Sequence, residues 1–309
     1  MKILVTGGAG FIGSHIVEHF QGQAEVVVLD NFRSGFRKNL DGLQCRLIEG
    51  SITDPAAVRQ AVQGVDYIFH LAAMISVPES MAKPRECVEI NTQGTLIVLE
   101  EAARAGVKKL CLSSSAAVYG DNPKLPKTED MLPEPKSPYA VTKLDGEYYC
   151  RMFHDEGWLK TACMRYFNVF GPRQDPKSQY AAAVPIFIDK AVRNDPITIF
   201  GDGLQTRDFV FVKDVVAANV FLASRADLTG VYNVACGGTI TIKELAEKIV
   251  ALTDSRSEIC FGPERAGDIK HSKADVEKIE SAGFTPMTRF EDGLRRTIEF
   301  FKAKSDNSR

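Results

Sequence analysis

"VTGGAGFIGSH", residues 5–15, decides the fold. A short β-branched run, 3–6, enters it and an amphipathic run, 12–20, leaves it, so Gly7, Gly10 and Gly13 occupy a strand-to-helix turn; Gly8, Gly10 and Gly13 also spell GxGxxG. Glycines at such a turn permit the sharp reversal, the approach of a pyrophosphate and close helix–strand packing, while the helix N-terminus faces the phosphates. A purely structural glycine turn is the competing reading, and the next strand weighs against it. That strand, 26–30, ends in Asp30, near the spacing at which a carboxylate accepts hydrogen bonds from an adenosine ribose and repels a 2′-phosphate. NAD is therefore expected rather than NADP, with the nearby Arg33 as the residue that speaks the other way.

Further along, strand-like runs at 46–49, 67–71, 109–113 and 162–166 alternate with helical patterns at 56–62, 85–105 and 138–153. This is the rhythm of an α/β, Rossmann-like, doubly wound parallel sheet. After about residue 167 it gives way to loops, isolated strands and helical patterns at 181–193, 214–223, 242–252 and 290–301. The expected division is a NAD-binding Rossmann domain, 1–166 with about 205–237, and a smaller interleaved C-terminal substrate domain, 167–204 with 238–309.

The chain has 309 residues, a net charge of −2 and no block of like charges, which argues against a nucleic-acid or anionic-membrane surface. Its seven cysteines form no CxxC pair and are odd in number, as expected for reduced thiols in a cytoplasmic enzyme. The strand-like segment after Met1 is too brief for a signal peptide, and no apolar run approaches a membrane span. His15, Glu18 and His19 in "HIVEH" match the H-x-x-E-H spelling of a metalloprotease class. That helix must pack on the sheet, however, and no other histidine spacing suits zinc, so no metal is expected.

In "KSPYAVTKLDGE", 136–147, Ser137 suits an N-cap and Pro138 the first helical position, which puts Tyr139 in the first turn and Lys143 on the same face. A phenol is a poor base at neutral pH. A positive charge at about 6 Å in an effective dielectric of about 20 favours the phenolate by roughly 2–3 kcal/mol. Lys143, helped by a positive nicotinamide ring, is thus expected to fit Tyr139 for general-base work. YxxxK alone is a common accident. It gains weight from "LSSSAAVYG", 112–120, where a strand carrying Ser113, Ser114 and Ser115 ends on the same crevice as the glycine loop.

With these residues in hand, the chain resembles the extended short-chain dehydrogenase/reductase superfamily, and within it the UDP-hexose 4-epimerases. The resemblance covers nearly the whole chain: "TGGAGFIGSH", "LDNF", "HLAA", "EINTQGT", "SSSAAVYG", "YAVTK", "RYFNVFGPRQDP", "GDGLQTRDFVFVKDV", "YNVACGG" and "RAGDIKHS". It implies Ser115, Tyr139 and Lys143 as the catalytic trio, with Tyr139 taking the proton of a sugar 4-hydroxyl, Ser115 holding the 4-oxygen and NAD receiving and returning the C4 hydride. It implies a cofactor site of Gly7, Gly10, Phe11, Ile12, Gly13, Asp30, Asn31, Ser34, Gly35, Ser51, Ile52, Leu71, Ala72, Ala73, Asn91, Ser113, Tyr139, Lys143 and Tyr166. For a UDP-sugar it implies Asn168, Arg207 and Arg265 at the diphosphate, Asp268 at the uridine ribose, Thr198 and Phe200 around the uracil, and Ser76, Ser115 and Ser272 at the sugar.

Within the superfamily, dehydratases and decarboxylases place acids just after the active-site Ser or Thr; here Ala116 and Ala117 stand there, and methyl groups cannot move protons. At Ser272 an aromatic residue would restrict relatives to glucose and galactose, so a small side chain there, together with Ala181, Ala182 and Ala183, points to N-acetylated hexosamines being accepted as well. Ser51 and Ile75 depart from what relatives usually carry. Relatives pair two helices across a two-fold axis, which implies a homodimer through the helices 85–105 and 138–153, with Leu96, Leu99, Leu144, Tyr148 and Met152 as apolar positions. The rival outside the enzymes is a non-catalytic dinucleotide-binding regulator, against which the intact Ser115, Tyr139 and Lys143 argue.

Overall fold

Strands that are apolar on both faces need a layer of helices on each side. The computed structural model, which describes residues 1–176, 182–264 and 270–306, has this arrangement. The strands are β1 (Lys2–Thr6), β2 (Glu25–Asp30), β3 (Arg46–Glu49), β4 (Tyr67–His70), β5 (Lys109–Ser115), β6 (Lys160–Tyr166), β7 (Asn168–Phe170), β8 (Ile197–Phe200), β9 (Thr206–Arg207), β10 (Phe209–Phe211), β11 (Gly230–Val234), β12 (Ile240–Thr241) and β13 (Ile259–Gly262). The α-helices are α1 (Phe11–His19), α2 (Pro55–Ala61), α3 (Val77–Ala82), α4 (Pro84–Val88), α5 (Gly94–Arg104), α6 (Pro138–Asp155), α7 (Ala183–Arg193), α8 (Val212–Ser224), α9 (Ile242–Thr253), α10 (Glu277–Ser281) and α11 (Phe290–Asp306).

Seven strands form one parallel sheet in the order β3-β2-β1-β4-β5-β6-β11. Side chains alternate across it. Ile3 and Val5 join Ile16 of α1 and Val215 of α8 in one core, whereas Leu4 joins Val58 of α2, Leu99 of α5 and Phe153 of α6 in the other. A third core gathers α7, α9 and α11 around β8 and β10, with Phe187, Ile199, Leu245 and Leu294 buried in it. Because all seven strands run the same way, their carboxyl ends share one edge, and the order reverses between β1 and β4. That switch point opens a crevice above the glycine loop.

The continuous helix expected at 85–105 is interrupted. Glu89–Gln93 forms a π-turn between α4 and α5, and the wider turn directs Asn91 inward. Its Oδ1 accepts from Met74 N–H (2.7 Å), while Nδ2 donates to Met74 O and to Thr142 Oγ1 (both 3.0 Å). Satisfying these three polar contacts wins over helical regularity. Leu99 and Leu144 belong to buried clusters rather than to a free helix face. Val141, Tyr148 and Met152 of α6 remain exposed.

A buried ion pair fixes α6 against the sheet. Glu147 Oε2 accepts from Arg165 of β6 at 2.7 Å, both side chains being under 5 % exposed, and Glu147 Oε1 also accepts from Ser114 Oγ of β5 (2.5 Å). Removing one partner of such a pair strands the other charge in the interior, whereas replacing both by apolar groups does not. Glu147→Leu should therefore destabilise the protein by about 3–5 kcal/mol in urea unfolding. Adding Arg165→Met should recover most of that loss; a double variant as unstable as the single one would refute the stranded-charge account.

Candidate active site

The glycine loop closes because two positions have no room for a side chain. Gly7 has φ +71°, and a Cβ on Gly13 would lie 2.2 Å from the Gly7 carbonyl oxygen. The close approach brings the first turn of α1 to the end of β1, with its unpaired N–H groups at the crevice. Asp30 braces the loop from β2: Oδ2 accepts from Ala9 N–H (2.9 Å) and Oδ1 from Phe32 N–H (2.8 Å). Burial pushes its pKa up, against the pull of those two amides. On the other side, Thr6 Oγ1 accepts from Leu71 and Ala72 N–H and pairs with His70 Nδ1 (2.7 Å), while His70 Nε2 pairs with Thr95. Burial lowers the pKa of His70 to about 3, so it acts as a neutral connector.

A cleft of roughly 880 Å³ runs along this edge. Of the expected cofactor residues it is lined by Gly7, Gly10, Phe11, Ile12, Gly13, Asp30, Asn31, Ser34, Gly35, Ile52, Leu71, Ala72, Ala73, Ser113, Tyr139, Lys143 and Tyr166, and of the expected sugar residues by Ser76 and Ser115. Ser51 is not among its walls, its hydroxyl being turned to Thr53. Asn91 lies behind the cleft on the Met74 backbone. The glycine cradle, which a single Cβ would fill, and the acid on β2 fit a dinucleotide.

At the other end of the cleft, Ser137 caps α6 as its spacing predicts, accepting from Ala140 N–H (3.2 Å), and Pro138 opens the helix. Tyr139 N–H donates to Ser80 Oγ of α3 (3.2 Å), and Tyr139 and Ser115 stand together in the cleft wall. Lys143 Nζ donates to Ser113 O (2.7 Å) and lies 5.8 Å from the Tyr139 ring centre. The expected acidification of Tyr139 by Lys143 is not found. Burial pushes the phenol's pKa above its ordinary value and the neighbouring Ser115 only partly opposes it, while burial also lowers Lys143 to about 8. Loss of hydration outweighs the attraction of a lysine whose ammonium is engaged by a carbonyl.

The remaining expected sugar residues lie in the C-terminal half. Asn168 on β7 donates to Asp208 O (3.1 Å), Thr198 and Phe200 sit on β8, and Ser272 N–H donates to Thr206 O beside Arg207. Arg207 lines a second hollow of roughly 640 Å³ together with Phe209 and Arg289. Arg265, Asp268 and Ala181 fall outside the described residues. Sequence reasoning missed Asp208. Its fully buried carboxylate accepts from Cys236, Gly237 and Ala274 N–H at 2.9–3.2 Å, joining the β11 exit to the segment after Ser272, and burial raises its pKa to about 6. The "HIVEH" histidine is structural: His15 pairs with Glu18 and with Pro172 O. No cluster of three or more His, Cys, Asp or Glu able to hold a metal occurs among the described residues, and no helix there is long and apolar enough to cross a membrane.

Comparison with known proteins agrees with this geometry. Residues 3–235 match the NAD dependent epimerase/dehydratase family. The UDP-N-acetylglucosamine 4-epimerase of Methanobrevibacter ruminantium M1, solved with UDP-N-acetylmuramic acid, is 40 % identical with a TM-score of 0.95, over 98 % of each chain. The UDP-glucose 4-epimerase of Thermotoga maritima, solved with UDP-glucose, is 38 % identical with a TM-score of 0.94, over 99 % of this chain and 100 % of that one. A UDP-N-acetyl-alpha-D-glucosaminuronate decarboxylase of Bacillus cytotoxicus is 35 % identical over 97 % of this chain and 98 % of its own. The chain therefore belongs to the NAD-dependent epimerase/dehydratase family, its fold is that of the short-chain dehydrogenases, and its cofactor is NAD.

Gly13→Ala is expected to weaken NAD binding at least about ten-fold in calorimetric titration, because the loop must open to admit the methyl group. Unchanged affinity would mean that the loop does not hold the pyrophosphate.

Proposed function

We propose that this chain is a UDP-hexose 4-epimerase acting on UDP-GlcNAc/UDP-GalNAc and on UDP-Glc/UDP-Gal. The observation that carries the reading is that Ser115, Tyr139 and Lys143 line one cleft with the glycine loop, Ser115 being followed along the chain by Ala116 and Ala117 with no acid. Tyr139 takes the proton of the sugar 4-hydroxyl and gives it back, while Ser115 holds the 4-oxygen in both directions. NAD, which the glycine loop and Asp30 would hold, would supply the hydride acceptor and donor by which the C4 hydrogen leaves one face of the sugar and comes back on the other. Lys143, kept close by its bond to Ser113 O, contributes positive charge to the phenolate and reaches the adjacent ribose. Since burial disfavours the phenolate in the protein alone, Tyr139 becomes an effective base only with the positive cofactor in place.

In this reading Asn168, Arg207 and Arg265 hold the diphosphate, Asp268 the uridine ribose, and Thr198 and Phe200 the uracil. Ser76 and Ser272 border the sugar, with Ser272 small enough to leave space for an acetyl group. Residues 1–166 with about 205–237 form the cofactor domain and the remainder the sugar-nucleotide domain. The seven unbridged cysteines suit the cytoplasm. The exposed stripe Val141, Tyr148 and Met152, at i, i+7 and i+11 of α6, supports a homodimer packed through that helix. Light scattering should give twice the 34.0 kDa chain mass, and a single-chain mass would remove the dimer.

Two substitutions test the chemistry. Tyr139→Phe should lower kcat by a factor of about 10²–10⁴ while NAD and UDP-sugar affinities stay within a few-fold; normal turnover would overturn the assignment. Ser272→Tyr should abolish turnover of the N-acetylated sugars and spare UDP-Glc. Equal loss on both would mean that residue 272 does not border the 2-substituent.

A further inference from the structure

Arg33 follows Phe32, a non-glycine residue in the left-handed region (φ 57°). Its guanidinium pairs with Glu79 of α3 (2.7 Å) and with Glu86 of α4. Lys83 completes the group, 3.4 Å from Glu86 and 3.9 Å from Glu79. The banks joined in this way are the loop after β2 and the helices after β4. In the sheet β1 lies between those two strands, so a bridge from one bank to the other crosses above the end of β1, where the glycine loop opens. Arg33, Glu79 and Lys83 are themselves walls of the cleft. Isolated surface ion pairs contribute little, but one guanidinium shared by two carboxylates, all about a third exposed, is a small network and is less screened.

We propose that Arg33, Glu79 and Glu86 form a clasp across the dinucleotide cleft that must open for NAD to leave, and so sets how long the enzyme retains its cofactor. A reaction that reduces and reoxidises the same NAD within one turnover profits from such retention. α3 links the clasp to the chemistry, since Ser80, one residue after Glu79, accepts the Tyr139 N–H. Because the clasp acts on the cofactor, it is independent of which sugar the enzyme takes.

The test is the rate at which radiolabelled NAD leaves the full-length protein on chase with unlabelled NAD, at 50 mM and 1 M NaCl. The Glu79→Gln/Glu86→Gln variant should release NAD about ten-fold faster at low salt, the scale of a small charged network. In 1 M NaCl, where the screening length falls to about 3 Å, the wild type should approach the variant's rate. Arg33→Met should reproduce the effect from the opposite bank, and combining all three changes should add nothing further, as for groups acting through one contact. Release within two-fold of wild type in both Glu79→Gln/Glu86→Gln and Arg33→Met would overturn the proposal, as would additive effects in the triple variant.

Discussion

A methyl group has no room at residue 13. The helix that follows β1 starts against the Gly7 carbonyl, and this contact sets where the first-turn amides of α1 sit relative to the sheet edge. Everything else at the cofactor end is built onto that approach. Asp30 holds the loop from β2, and Thr6, bonded to His70, holds the strand-four exit from the other side. Such a preformed cradle matters because a flexible loop would have to be ordered at the expense of binding free energy.

The catalytic end depends on α6 in the same way. A helix laid on a sheet could slide by a turn if only apolar contacts held it. Glu147 prevents that by bonding Arg165 on β6 and Ser114 on β5, one turn beyond Lys143. The register of that ion pair is the register of Tyr139 and Lys143 over Ser113 and Ser115. The site so assembled is poorly suited to ionising a phenol on its own, because the burial that excludes water raises the tyrosine and lowers the lysine.

Much of this was legible in the chain. Strand spacing, the glycine turn, Asp30, the Ser137 cap and the Tyr139–Lys143 face all depend on local pattern or on near neighbours. What was not legible depends on partners far apart in sequence. The π-turn at Asn91 answers to Met74 and Thr142, Arg33 answers to Glu79 and Glu86, and Asp208 binds amides up to 66 residues away. The direction in which Tyr139 is shifted in the protein alone is set by burial, which is not a property of four neighbouring residues. Leu99, an apolar position of a helix expected at a dimer contact, is buried in the core, because periodicity shows that a helix has an apolar side but not what covers it.

The central claim is that the chemistry stops at oxidation and re-reduction of C4. Proton NMR of the NAD-supplied protein with UDP-GlcNAc and UDP-Glc in D₂O tests it most directly. The account predicts that both C4 epimers appear, each keeping its original C4 proton, because the hydride never exchanges with solvent. Loss of water or of carbon dioxide from the sugar, deuterium at C4, or no epimer at all would contradict it.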